Sequence, residues 1–456
     1  MLMPGARSPA AAAPTAPGDQ LWVSRENGSA NTDDYGRAAQ LSPDGTKVFA
    51  TGYMTGSSSH TDYATVAYDA STGTKMWLRR YNGPANSEDY AWSLAVSPDG
   101  TRLFVTGESP GVGTFSDYAT LAYDASTGAT LWTRRYNGPG SLDDFGNSVT
   151  VSPDGAEVFV TGDSDGPSGS KDYATLAYDA SSGATLWESR YNGPADAADV
   201  ALLVKVTPDG TRVVVTGSSE GSTFLTDYAT VAYDASTGSS LWTKRYNGPG
   251  NGDDYAYSLG VSPDGTRVFV TGGSGGSGTS SDYATLAYDA STGSMLWSRR
   301  FNGAGNGDDY AYSLGVSPDG TRVFVTGDST GSALYTDYAT LAYDASTGTV
   351  LWKKRYDGPT HYSDYAWSVA ASPVGTNVLV TGYSPGSDLD FDYTTVAYEG
   401  SAGTVLWTRR YDGPANEGDY AYAVAVSPDG SKVAVTGGSF GSGTSYDFVT
   451  VAYSTV

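Results

Sequence analysis

Cysteine is absent from the 456 residues, which excludes a disulfide framework, a thiolate metal site and a thiol nucleophile. Histidine is almost absent. His60 and His361 are the only two, and neither has a local partner motif, so both are expected as exposed loop residues. Positive charge is scarce, with 26 Lys+Arg against 50 Asp+Glu and a net charge of −24. That balance argues against nucleic acid or an anionic membrane as the main partner. No apolar run approaches the roughly 18 residues that would span a bilayer, so no membrane insertion is expected. The sequence also lacks a GxSxG elbow, a phosphate-binding glycine loop and an HExxH motif. What it has is 59 Gly, 35 Tyr, 10 Trp and 39% hydrophobic residues, enough apolar matter for a folded chain.

These residues are not scattered. Trp recurs at Trp22, Trp77, Trp132, Trp187, Trp242, Trp297, Trp352 and Trp407, always 55 residues apart. An SPDG-like turn and an Asp-Tyr pair keep the same period, without insertion or deletion. In one unit, Asp89 to Val96 is an apolar segment closed by the turn Ser97-Pro98-Asp99-Gly100. Proline sets φ for that turn and glycine takes its left-handed position. Three further apolar segments follow: Leu103–Thr106, Tyr118–Tyr123 and Leu131–Tyr136. None has helical period or length. Four antiparallel strands per unit, eight times over, predict an all-β, eight-bladed β-propeller. The chain opens with a fourth strand around Trp22 and closes with a third strand around Val451, so the N-terminal strand is expected to complete the last blade and close the ring. Residues 1–19 are Ala/Pro-rich and lack the apolar core of an intact signal peptide. They are expected as a disordered leader or linker, with 20–456 a single propeller.

The segment Ala122-Tyr-Asp124-Ala-Ser-Thr127-Gly128-Ala-Thr-Leu-Trp132 resembles the tryptophan-docking motif of quinoprotein (PQQ-dehydrogenase-like) propellers, which are eight-bladed. The half-unit from Gly252-Asp253-Asp254-Tyr255 through Ser262-Pro263-Asp264-Gly265 to Val270-Thr271-Gly272 is similar to bacterial SBBP-type propeller repeats. The resemblance implies a structural role for the eight motif tryptophans. For an enzyme of the quinoprotein type it also implies PQQ, a calcium ion and a catalytic Asp. The adjacent-cysteine disulfide of many such dehydrogenases is impossible here, and the resemblance assigns no calcium ligands or base in this chain.

The SPDG and DASTG turns share one face of a propeller and are nearly identical in every unit. The other face carries the loops that differ between units, so a site is expected there. The position three residues after the first Asp of each unit is the most individual: Arg37, Trp92, Asn147, Leu202, Tyr257, Tyr312, Trp367 and Tyr422. Arg37, Trp92, Tyr257, Tyr312, Trp367 and Tyr422 are the candidate ligand-binding residues, as the wall of a central pocket or as blade packing. Asp34, Asp89, Asp144, Asp199, Asp254, Asp309, Asp364 and Asp419 form a repeated acidic ring. A second ring consists of Asp62 and its equivalents, with an Arg (Arg25, Arg80 and so on) returning to the same end. Asp–Arg pairing with capping of loop N–H groups competes with a cation site. Asp163-x-Asp165-Gly166 and Asp388-x-Asp390-x-Asp392 also have oxygen-ligand spacing, without the bidentate Glu of an EF-hand loop.

The expected function is a non-catalytic, monomeric, secreted or cell-surface propeller that binds a partner protein or a saccharide through the variable face. No cofactor is expected, calcium is possible, and a PQQ/Ca-dependent oxidoreductase is the alternative.

Overall fold

The computed structural model describes residues 16–57, 60–222, 224–332 and 335–455; most of the leader expected at 1–19 lies outside them. Thirty-two strands form eight separate four-stranded antiparallel sheets. β1 (Gln20–Glu26) precedes the first complete blade, which runs β2 (Tyr35–Leu41), β3 (Lys47–Thr55), β4 (Thr61–Asp69) and β5 (Lys75–Tyr81) from the channel outwards. The pattern repeats until β30 (Asp419–Val426), β31 (Lys432–Phe440) and β32 (Tyr446–Ser454). β1 adds to β32, with Trp22 opposite Ala452, and completes the eighth blade.

The core lies between blades. Phe49, Tyr63 and Trp77 of the first blade pack with Leu94, Val105, Leu121 and Tyr123 of the second. An equivalent cluster joins Trp22, Phe448 and Ala452 of the last blade to Val48, Val66 and Tyr68 of the first. The eight repeated tryptophans are each buried, and Trp132 Nε1 donates to Ala180 O of the next blade at 3.0 Å. Trp22, Trp77, Trp187, Trp242, Trp297 and Trp352 make the equivalent bond. Gly128 shows why that turn needs glycine. Its φ is +70°, and a Cβ there would sit 2.6 Å from the Trp77 ring.

A second staple ties the other face. Tyr63 is fully buried and its hydroxyl donates to Ala119 O of the next blade at 3.1 Å. Tyr118, Tyr173, Tyr228, Tyr283, Tyr338 and Tyr393 repeat this bond, and Phe448 stands at the position in the eighth blade. The junction of the seventh and eighth blades keeps its Tyr393 bond and differs at the Trp end instead. Residues 17 and 18 take the place of a DASTG turn there, their carbonyls accepting from Arg409 at 3.3 and 2.7 Å. Trp407 Nε1 has no hydrogen-bond partner among the described residues.

Deleting residues 1–26 removes β1 and Trp22, and loss of one buried Trp alone costs about 3–5 kcal/mol. The truncated chain is expected to melt well below the full chain and to associate through the bared β32 edge. Melting curves and light scattering check this; a monomer with the full-length melting temperature would refute closure by β1.

Candidate functional site

Each innermost strand contains a β-bulge at the same register. Gly36 pairs with Gly52 and Ala38 with Thr51, so Arg37 is the extra residue. The same shift occurs at Trp92, Asn147, Leu202, Tyr257, Tyr312, Trp367 and Tyr422. A bulge residue is freed from the ladder and can be re-aimed. Here it places the most variable residue of every unit beside the channel.

Six of these side chains form a continuous arc. Tyr257 and Tyr312 have ring centroids 5.4 Å apart, Tyr312 stacks on Trp367 at 4.8 Å and 18°, and Trp367 meets Tyr422 edge-on at 6.0 Å. The Arg37 guanidinium carbon lies 4.3 Å from the Tyr422 ring centroid and 5.5 Å from that of Trp92, close enough for cation–π attraction. Arg37 also donates to the Tyr53 hydroxyl at 2.7 Å. Asn147 turns aside, donating to Asp163 at 3.0 Å and to Ala201 O at 2.9 Å. Leu202 and Asn147, with Trp92, Tyr257 and Tyr312, line a channel cavity of about 490 Å³.

Of a second set of residues that faces this arc from the neighbouring strand, sixteen positions later, sequence reasoning singled out only Asp163 as a candidate, for its ligand spacing. The set includes Tyr53, Glu108, Asp163, Asp328 and Tyr383, and its signal was variation between units as large as that at the bulge. Burial pushes the Glu108 carboxyl up to about 7, against a hydrogen bond from Trp92. Burial does the same to Asp328, also to about 7, against a bond from the Tyr312 hydroxyl. Asp163 is raised by burial too, and Lys171 Nζ sits 2.5 Å from its Oδ2 and 4.1 Å from the Phe145 ring centroid. The mouth therefore offers flat aromatic faces, one delocalised cation and carboxyls that gain protons near neutral pH.

The repeated acidic ring does not line the mouth. Asp34 and its seven equivalents are fully buried at the blade junctions. Each accepts from a backbone N–H of the preceding interblade loop, Gly83 to Asp89 at 2.7 Å being typical. Ser109 beside Asp89 acts against the burial of that carboxyl, while Asp89 Oδ1 has no hydrogen-bond partner among the described residues. That serine accepts from Arg135 at 2.6 Å, and Arg135 pairs with Asp117 of the second ring at 2.7 Å. Asp62, Asp172, Asp227, Asp282, Asp337, Asp392 and Asp447 pair with arginine in the same way. Asp165 accepts from Asp143 N at 3.0 Å. Asp388 accepts from Asn416 and, at 3.4 Å, from Asp390 N.

Two groups of three carboxylates approach within 4.8 Å: Asp337/Asp357/Asp364 and Asp392/Asp412/Asp419. Both arise where Asp357 and Asp412 replace the Asn found at this position in the other units, such as Asn82. His361 pairs with Asp357 at 2.8 Å and is exposed, while His60 lies 3.7 Å from Glu88.

Burial raises the ring carboxyls, to about 6 for Asp34, Asp144, Asp199 and Asp364 and about 7 for Asp419. A folded-state value above the unfolded one means the native chain binds the extra protons, so this contribution is full below about pH 4 and lost as pH rises through 6–7. The turn carboxyls run the other way. Hydrogen bonds from Ser42 and Ser262 hold Asp44 and Asp264 down at about 2, so their contribution is lost below about pH 4. The urea midpoint is expected to be higher at pH 5 than at pH 8. A midpoint that rises steadily from pH 5 to 8 would contradict the buried-ring account. Because the ring charges are met by backbone N–H, serine and arginine, EDTA or millimolar calcium should leave the melting temperature unchanged. A rise of several degrees with calcium would show that one of the three-carboxylate groups binds it.

A sequence model of the family described as outer membrane protein assembly factor BamB matches residues 62–275 and, in a second overlapping placement, 229–439. No curated protein matches the sequence. Among solved structures, BamB from Moraxella catarrhalis is 16% identical with a TM-score of 0.56, covering 96% of this chain and 99% of its own. Chaetomium thermophilum Sqt1, bound to the N-terminus of ribosomal protein L10, is 16% identical with a TM-score of 0.62, covering 92% and 97%. Quinohemoprotein alcohol dehydrogenase ADHIIG from Pseudomonas putida HK5 is 13% identical with a TM-score of 0.57, covering 96% and 76%. At these identities the likeness is one of fold.

Proposed function

For this chain, which belongs to the outer membrane protein assembly factor BamB family, we propose a non-catalytic binding propeller that engages a partner protein or a saccharide at the channel mouth of its variable face. The observation that carries the reading is the arc Tyr257–Tyr312–Trp367–Tyr422–Arg37–Trp92, six bulge-borne side chains of the types that dominate binding hot spots. Tyrosine and tryptophan give large contact area at low entropic cost, and their faces suit either a sugar ring or a peptide. Propellers of this shape include BamB, an assembly factor, and Sqt1, solved with a ribosomal protein segment, which agrees with a scaffold role. The family description, which names the outer membrane, supports a secreted or cell-surface location, and we take the chain to act as a monomer.

The alternative is a PQQ- and calcium-dependent oxidoreductase, supported by the fold shared with a quinohemoprotein dehydrogenase. The donor set nearest to a calcium site at the mouth is Glu108, Asn147 and Asp163. It does not fit a calcium ion well, because Lys171 already supplies the positive charge at 2.5 Å from Asp163. With no cysteine pair in the chain, this reading ranks second.

The test combines a glycan array and a displayed peptide library, screened with the full chain, with a Trp367→Ala/Tyr422→Ala variant and with an Asp264→Ala control on the turn face. Ligands retained by the full chain and the control but weakened at least about tenfold by the double variant are expected. Ligands bound equally by all three would remove the mouth from the function. Dye-linked alcohol or sugar oxidation after reconstitution with PQQ and calcium would establish the alternative.

A further inference from the structure

The aromatic surface does not end at the channel mouth. Trp367 of the arc lies 6.4 Å from the Tyr383 ring, and Tyr383 meets Phe391 edge-on at 5.1 Å. Phe391 opens the third strand of the seventh blade (Phe391–Glu399), and beside it a cavity of about 240 Å³ lies between the sixth and seventh blades. Its wall is Tyr335, Tyr362, Ser363, Pro385, Leu389 and Phe391. Tyr335 and Tyr362 meet edge-on at 5.2 Å, yet they remain 42% and 44% exposed, and Leu389 is 55% exposed. This wall belongs to one junction. The position of Phe391 holds Thr, Ser or Lys in six of the other seven units, and that of Tyr362 holds Thr, Ser, Ala, Gly or Glu in six. Leu389 is also held at φ +76°, a left-handed conformation that favours glycine. An exposed leucine in that conformation serves neither packing nor solubility.

The rim carries charge of one sign. Asp388 and Asp390 flank Leu389, and Asp412 stands near enough that, after burial, their charges raise its carboxyl. The cations at hand are engaged: Arg410 pairs with Asp392 at 2.7 Å and exposed His361 faces Asp357 at 2.8 Å. Asp388, Asp390 and Asp412 form no ion pair among the described residues. Ser363 and two phenol hydroxyls are the only polar side-chain groups of the wall, few for a sugar. An apolar pocket with a carboxylate rim instead complements an apolar anchor flanked by cations.

We propose that this cavity takes an apolar side chain from a basic peptide segment of a partner protein, whose flanking lysine or arginine side chains pair with Asp388, Asp390 and Asp412. This rests on the reading that the variable face binds a partner; it names the partner's chemistry and places its anchor outside the arc.

Fluorescence anisotropy with labelled peptides tests it. The probe is a pentapeptide with a central leucine between two pairs of lysines. Glutamate replaces every lysine in one comparison peptide, and glycine replaces the leucine in another. Saturable binding of the probe is expected, at least about tenfold tighter than either comparison peptide. Tyr362→Ser and Leu389→Gly should each weaken it at least about tenfold, and added salt should weaken it too. Leu389→Gly should melt no lower than the parent, since glycine suits the backbone there, so its lost binding is not lost folding. No saturable probe binding, equal binding of either comparison peptide, or unchanged affinity in either variant would overturn the proposal. The Trp367→Ala/Tyr422→Ala variant separates this from the mouth reading. Probe binding abolished there but intact in Tyr362→Ser and Leu389→Gly would defeat the cavity and keep the arc. Other ligands held by the arc, with no probe binding, would defeat the cavity alone.

Discussion

Every sheet in this molecule is apolar on both faces, and that single constraint organises the rest. In β4 eight consecutive residues, Thr61 to Tyr68, are buried, so neither face tolerates water. A blade on its own would expose two hydrophobic surfaces; a blade in an open row would still leave two such surfaces at the ends. Only a ring covers them all, and the ring in turn demands that every junction be geometrically alike. The invariance of the 55-residue unit follows from this. So does the repetition of Trp132 and Tyr118, whose bonds each recur at seven of the eight junctions, on opposite faces of the ring.

The same requirement governs charge. A junction that buries a carboxylate must compensate it within the junction, because the neighbouring junctions hold carboxylates of their own. Asp89 Oδ2 accepts from Gly83 N–H, and the carboxyl lies beside Ser109, which leads to Arg135 and Asp117. Each blade therefore surrounds its buried acid with a polar network of its own, in which Asp89 Oδ1 has no hydrogen-bond partner among the described residues. The first blade shows how local the solution is. Met54 stands in place of the serine there, and Thr55 N–H donates to Asp34 Oδ1 at 2.7 Å, as Gly275 N–H and Thr330 N–H do to Asp254 and Asp309.

How far the sequence reveals all this depends on whether a feature leaves a mark in composition. The 55-residue tryptophan period and the two terminal part-units predict eight blades and closure by the first strand, and β1 lies beside β32. The Tyr63 staple is harder to see, because one buried tyrosine per unit is hidden among 35. The bulge is invisible as a bulge. Nothing in Gly36-Arg37-Ala38 announces an extra residue, although variability singles out Arg37 and its equivalents. The facing set at Tyr53, Glu108 and Asp328 needs the strand pairing to be known before its sixteen-residue offset means anything.

A scaffold built for sameness must obtain direction from the few positions that sameness does not reach. Junction residues are fixed by packing and turn residues by backbone geometry, which leaves the edge of each sheet along the channel. The bulge delivers one side chain per blade to that edge, and these eight are not distributed evenly. Aromatic rings and Arg37 occupy the fifth blade through the eighth and on through the first to the second. Asn147 and Leu202 interrupt the arc at the third and fourth. The interruption is where the cavity opens. An eightfold ring has thus acquired a continuous wall of aromatic rings and, at its gap, an open cavity. The mouth of the variable face therefore presents one orientation, not eight.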